Sequence, residues 1–123
     1  MADEETPVVG IVTGDAVEAK YSDEIKAFRE QHKRVSFWEI EDHGLFVIRK
    51  PKRAELQSYR KQIDTDGFDR TIAMENYVQS VTLAPSTPEA VRAVFEDWPL
   101  FSAVAYRALE ELSGGVVKEL KKA

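Results

Sequence analysis

Two short runs rich in β-branched and aromatic residues, Val35-Ser36-Phe37-Trp38-Glu39-Ile40 and Leu45-Phe46-Val47-Ile48-Arg49, flank Glu41-Asp42-His43-Gly44. No other stretch constrains the fold so tightly. Asp and Gly supply turn chemistry between runs that favour extended backbone, so the segment predicts a β-hairpin. A two-stranded hairpin is marginal alone in water and must pack on helices or gain a strand. The adjacent Phe37 and Trp38 sharpen that demand, because successive side chains on a strand point to opposite faces. One of the two is therefore either covered by a helix or exposed.

From Pro51 onward the pattern reads as helix. Lys52 to about Asp64 presents Leu56, Tyr59 and Ile63 at helical spacing, and Asp64-Thr65-Asp66-Gly67 ends it. Asp69 to about Leu83 presents Ile72, Ala73, Tyr77, Val78 and Val81 before Pro85 stops it. Ser86 or Thr87 caps a third helix, with Pro88 in its first turn and Val91, Val94 and Phe95 on one face. Asp97-Trp98-Pro99 breaks the pattern and opens a fourth helix carrying Leu100, Phe101, Val104, Ala105, Ala108, Leu109 and Leu112. Gly114-Gly115 closes it, since glycine takes the left-handed conformation other residues resist, and a short basic tail follows. Short connections make these helices antiparallel neighbours. Leu56, Tyr59, Val78, Val81, Val94, Phe95, Val104 and Leu109 are the expected helix–helix contacts.

Ahead of the hairpin the signals are weaker. Residues 1–7 are acidic, without apolar periodicity, and read as disordered. Val8 to Thr13 is a β-branched run weakened by Gly10, readable as a short strand or as an arm that pairs when a partner arrives. Ser22 offers an N-cap for a short helix over about 23–33, with Asp23 and Glu24 complementing its dipole and Ile25, Phe28 and His32 on one face. The expected architecture is α+β: a flexible acidic arm over residues 1–14, then one domain over 15–123. That domain holds a short N-terminal helix, a β-hairpin and a C-terminal bundle of about four antiparallel helices.

Composition narrows the chemistry. A chain of 123 residues, 43% hydrophobic and 32% charged, can bury one modest core with little space for an internal ligand cavity. The absence of cysteine excludes disulfides and thiolate metal sites. The N-terminus lacks a secretory pattern and no apolar run reaches the roughly 20 residues of a membrane span, so a cytoplasmic protein without a membrane partner is expected. His32 and His43 stand apart, too few for a metal centre, and no nucleophile elbow or phosphate loop is present. Asp64 and Asp66 do not begin a calcium loop, because Thr71, Ile72 and Ala73 fall where later acidic ligands are required. The expectation is a protein with no cofactor, no metal and no catalysis.

Charge is unevenly placed on this chain of net charge −5. Residues 1–24 hold seven acidic side chains against Lys20, while residues 49–61 hold six basic ones against Glu55. The run Arg49-Lys50-Pro51-Lys52-Arg53 could track a phosphate backbone, but the acidic balance and its place at a strand-to-helix junction argue against a nucleic-acid partner. Lysine at a helix start opposes the dipole, which calls for a compensating acidic group, for instance in the chain's own acidic segment.

The stretch Leu45-Phe-Val-Ile-Arg-Lys-Pro-Lys-Arg-Ala-Glu-Leu-Gln-Ser-Tyr59 resembles one in the tail assembly chaperones of long-tailed bacteriophages. Further pieces are similar: the apolar helix from Val78 to Pro85, the block Val91-Arg-Ala-Val-Phe-Glu-Asp-Trp-Pro-Leu-Phe101, and the close Leu109-Glu-Glu-Leu-Ser-Gly-Gly115. The likeness spans about residues 34–115. It departs at Lys52, where that family commonly has Ser or Thr after the proline. The resemblance implies a chaperone that coats the long helical tape measure protein in the host cytoplasm before the tail tube polymerises, and then leaves. The tape measure protein is the implied partner, with the tail tube protein and self-association as further possibilities. A small structural adaptor retained in the tail is the alternative, and a nucleic-acid-binding regulator stands behind both.

A candidate partner-binding patch follows from the aromatics. Short-looped helices have difficulty covering Phe37, Trp38, Trp98 and Phe101 together. An exposed apolar patch containing Trp38 or Trp98 and rimmed by Arg49, Lys52 and Arg53 is therefore expected. The competing reading is that Trp98 seals the end of the bundle.

Overall fold

The structure, a computed structural model, describes residues 10–114. The chain runs β1 (Ile11–Val12), α1 (Asp15–Lys20), α2 (Ser22–His32), β2 (Val35–Ile40), β3 (Gly44–Arg49), α3 (Arg53–Ile63), α4 (Arg70–Ser80), β4 (Thr82–Ala84), α5 (Pro88–Asp97) and α6 (Phe101–Leu112). The fold is α+β, and the described residues form six helices around one antiparallel sheet of order β1-β2-β3-β4.

The hairpin forms where the sequence places it. Val35 lies opposite Arg49 and Ile40 opposite Gly44, with Asp42 and Gly44 both at positive φ in and after the turn. What the hairpin gains is an extra strand on each side. On one edge Ile11 and Val12 pair with Ile40 and Glu39, so the β-branched run after Gly10 is a strand held by this chain's own β2. Residues 10–12 of the expected arm thus belong to the domain, while residues 1–9 lie outside those described. On the other edge Thr82–Ala84 pairs with β3 and Arg49 N–H donates to Val81 C=O at 3.1 Å. The helical reading from Pro51 onward fails here. The helix expected to run to Leu83 ends at Ser80, and Val81 is buried in the turn that follows instead of on a helix stripe. The physical cause is that β3 needs an edge partner, while Ser80 and Thr82 hydroxyls donate to the Tyr77 and Val78 carbonyls and finish the helix.

Helix ends mostly follow local chemistry. Thr87 caps α5 by accepting from Ala90 N–H, with Pro88 as its first residue, and Asp69 caps α4 by accepting from Thr71 and Ile72 N–H. At α2 the expected cap is displaced: Ser22 is the first helical residue and Tyr21 takes the cap position without a side-chain bond. The extra helix α1, which the sequence did not announce, ends where α2 begins.

Helices lie on both faces of the sheet. The even-numbered residues of the hairpin, Trp38, Ile40, Phe46 and Ile48, enter the main core with Tyr59, Val78, Val81, Val91, Val94, Phe95, Phe101 and Leu109. On the opposite face Glu39 accepts bonds from Lys20 and from the Tyr21 hydroxyl, and Arg29 of α2 stacks over Phe37, so α1 and α2 cover that side. This answers the demand set by Phe37 and Trp38, because each is covered by a different helix. Among the expected helix–helix contacts Val104 needs correction, and so does Ile72 of the α4 stripe. Leu56 packs half-buried on the core margin as expected, whereas Ile72 is exposed and Val104 is 47% exposed. On α6 the buried apolar side chains are Phe101, Ala105, Leu109 and Leu112, and Val104 lies roughly 100° round the helix from Ala105.

Candidate partner-binding surface

The expected patch does not assemble. Trp38 is 6% exposed and Phe101 1%, and their rings meet edge to face at 5.1 Å and 89°. Phe46 meets Phe101 in the same way at 4.9 Å, so these aromatics build the core. Phe37 is half-buried, with the Arg29 guanidinium 5.7 Å from its ring centre. Trp98 is half-buried at the C-cap of α5, its N–H donating to Val94 C=O, and its ring packs on the core margin beside Gly10. Gly10 sits at φ +82, and a Cβ there would touch the Trp98 ring at 3.8 Å. The bundle-end role of Trp98 is the one its surroundings favour.

Arg49, placed on the rim by sequence, is turned inward instead. Its guanidinium donates to both Glu55 carboxylate oxygens, at 2.9 and 2.6 Å, and to Ser80 C=O at 3.2 Å. One side chain thus ties the end of the hairpin to the first turn of α3 and the last of α4. Glu55 also accepts the Lys52 N–H at 2.8 Å, so it is the acidic group that compensates the basic helix start. The N-terminal acidic segment is not needed for that. Arg49, and next the Lys52 N–H, hold the Glu55 carboxyl below its ordinary value despite partial burial, and Glu55 in turn raises Arg49. Lys52 and Arg53 are exposed at the start of α3. The seven candidate residues are therefore dispersed among core, joint and surface.

A different surface emerges beside β2. Strand β1 covers only Glu39 and Ile40, then turns away at Gly14 into α1, so Val35 to Phe37 has no neighbouring strand among the described residues. The ladder phase fixes where its backbone points. Glu41 N–H donates to Gly10 C=O, and Arg49, opposite Val35, donates away from β2 to Val81. Val35 and Phe37 therefore aim their N–H and C=O groups at the open edge. Phe37 C=O accepts from the Thr13 hydroxyl, while Val35 N–H, Val35 C=O and Phe37 N–H have no partner among the described residues.

A groove of about 350 Å³ runs along this edge, walled by Val104, Arg107, Ala108 and Glu111 of α6. A continuation passes Lys33 and Arg34 at the end of α2. Lys33 adopts φ 64 and ψ −58, and the Arg34 N–H donates back to His32 C=O, a tight γ-turn that swings the chain from α2 into β2. Leu100, 82% exposed, precedes Val104 by one helical turn and extends the apolar stripe of α6. The sequence pattern places Val104 among the helix–helix contacts because α6 is apolar over most of its circumference.

A second depression, between α3 and α4, is floored by Tyr59 and Tyr77, stacked at 4.8 Å and 16°. Tyr106 completes the cluster, and burial first, then Tyr59, pushes its hydroxyl up to about 12. The neighbouring Asn76 and Gln62 amides bond to each other, so the depression reads as a seam between helices. At the hairpin turn, His43 Nε2 lies 2.6 Å from the Asp97 carboxylate and links it to the end of α5. Among the described residues no His, Asp and Glu side chains gather as a metal site, and no helix is long and apolar enough to cross a membrane.

Comparison of the chain with protein-family models, with curated proteins and with solved structures returns no match.

Proposed function

We propose that the protein is a tail assembly chaperone of a long-tailed bacteriophage, which shields the tape measure protein in the host cytoplasm and performs no catalysis. The observation that carries this reading is the ordered series of motifs resembling that family. Three of these four motifs sit at joints of the fold. Arg49 and Glu55 of the first lock the hairpin to α3, Val78 to Pro85 forms the helix-to-strand turn, and Trp98 closes the end of α5. Lys52, the departure from the pattern, leaves the local cap intact because Glu55 accepts its N–H. The exposed Leu100 and Val104 give α6 an outward apolar stripe of the kind a shielded helical client needs.

Co-expression with a tape measure protein and pull-down tests the reading. The wild-type chain should retain the client, and Leu100→Ser with Val104→Ser should release it at an unchanged melting temperature. Failure of the wild type to capture the client refutes the proposal. Recovery of the chain in finished tails would favour the retained adaptor.

A further inference from the structure

We infer that the edge of β2 that no strand among the described residues covers is a strand-addition site, which takes an extended, acidic segment of another protein through Val35 and Phe37. This does not rest on the chaperone reading, because it concerns the backbone of β2 and holds for any client.

Three backbone groups, Val35 N–H, Val35 C=O and Phe37 N–H, point outward at hydrogen-bonding spacing along one line. A strand is the ligand that matches such a row, since its own groups recur with the same period. The groove beside the edge provides for its side chains. Those on one face would meet Val104 and Ala108 of α6, and those on the other would meet Phe37 beneath Arg29. Thr13 marks one end of the site, where its hydroxyl already occupies Phe37 C=O. The register is therefore limited to a few residues, and the added segment must be short.

Charge selects the partner. Lys33, Arg34 and Arg107 line the groove and form no ion pair with any described residue, whereas Arg29 is already paired with Glu18. Glu111 is the acidic side chain on the wall. Two copies joined edge to edge about a two-fold axis would bring the basic groups of each against those of the other, which disfavours self-association here. An acidic segment meets no such repulsion.

The test uses the full chain and a fluorescent synthetic peptide of alternating valine and threonine flanked by glutamates, followed by polarisation. A control peptide carries lysines in place of the glutamates. The acidic peptide should bind, the lysine peptide about tenfold more weakly, and added salt should narrow the difference. Val35→Pro removes an outward N–H without touching the ladder to β3, and it should weaken binding about tenfold while the far-ultraviolet spectrum is kept. Should that variant fail to fold, Arg34→Glu with Arg107→Glu decides instead, because it should reverse the preference between the two peptides. Equal binding of both peptides, no binding of either, or a folded Val35→Pro that binds normally would overturn the inference. A dimer in sedimentation that Val35→Pro dissolves would also overturn it, by giving the edge to a second copy.

Discussion

Replacing Phe101 with alanine separates a core residue from a binding residue most cleanly. The side chain is 1% exposed and its ring meets Phe46, Trp38 and Phe95 at centroid distances of 4.9, 5.1 and 6.5 Å. Phe→Ala in a well-packed core costs about 3–5 kcal/mol, and the loss of two edge-to-face partners puts this case near about 4 kcal/mol. Small domains have about 5–15 kcal/mol in total, so the variant should fold but with little margin. With an unfolding entropy of about 2.1 cal/mol/K per residue, a 123-residue chain loses about 15 °C of melting temperature. Circular dichroism at the helical minimum reads that shift. A fall below about 4 °C, equivalent to about 1 kcal/mol, would refute the reasoning, because it would mean that the aromatic cluster is not packed as described.

Glu55→Gln should cost about 2 kcal/mol at neutral pH by leaving Arg49 without its carboxylate. Because the folded carboxyl is held below its unfolded value of about 4.3, its contribution is complete above that value and fades as pH falls through it toward the lower folded one. Urea denaturation across this acidic window should show the wild type losing more stability than Glu55→Gln, and parallel curves would contradict the assignment. Gly10→Ala should cost about 1–2 kcal/mol from the positive φ alone and loosen β1, visible as faster hydrogen exchange at Glu41 N–H. Unchanged exchange would exclude Gly10 as the hinge of that strand. Thr87→Ala should cost about 1 kcal/mol by emptying the α5 cap, and Thr87→Ser should restore it; equal melting temperatures for all three would deny the cap.

Much of the helix and hairpin layout is legible locally. Thr87-Pro88 starts α5 and Asp69 precedes α4 because an oxygen within a few residues satisfies the free N–H groups of the first turn. The hairpin declares itself through Asp42 and Gly44, whose positive φ requires nothing distant. Such features depend on neighbours along the chain, so the amino-acid order alone determines them.

The strands β1 and β4, of two and three residues, are of the other kind. Neither has enough residues to outweigh its local alternatives, and each exists because β2 or β3 offers unpaired backbone groups tens of residues away. The face of α6 was likewise undecided by pattern: a helix apolar over most of its circumference reveals which side is buried only when Phe101 finds Trp38 and Phe46. The candidate site failed to be read for the same reason. Aromatic residues mark a core and an interface equally well, and Arg49 became a joint instead of a rim only because Glu55 and Ser80 converge on it. The groove along Val35–Phe37 has no composition signature at all. It exists because β1 ends at Val12 opposite Glu39, four residues short of reaching Val35, and the register between two strands distant in sequence decides that.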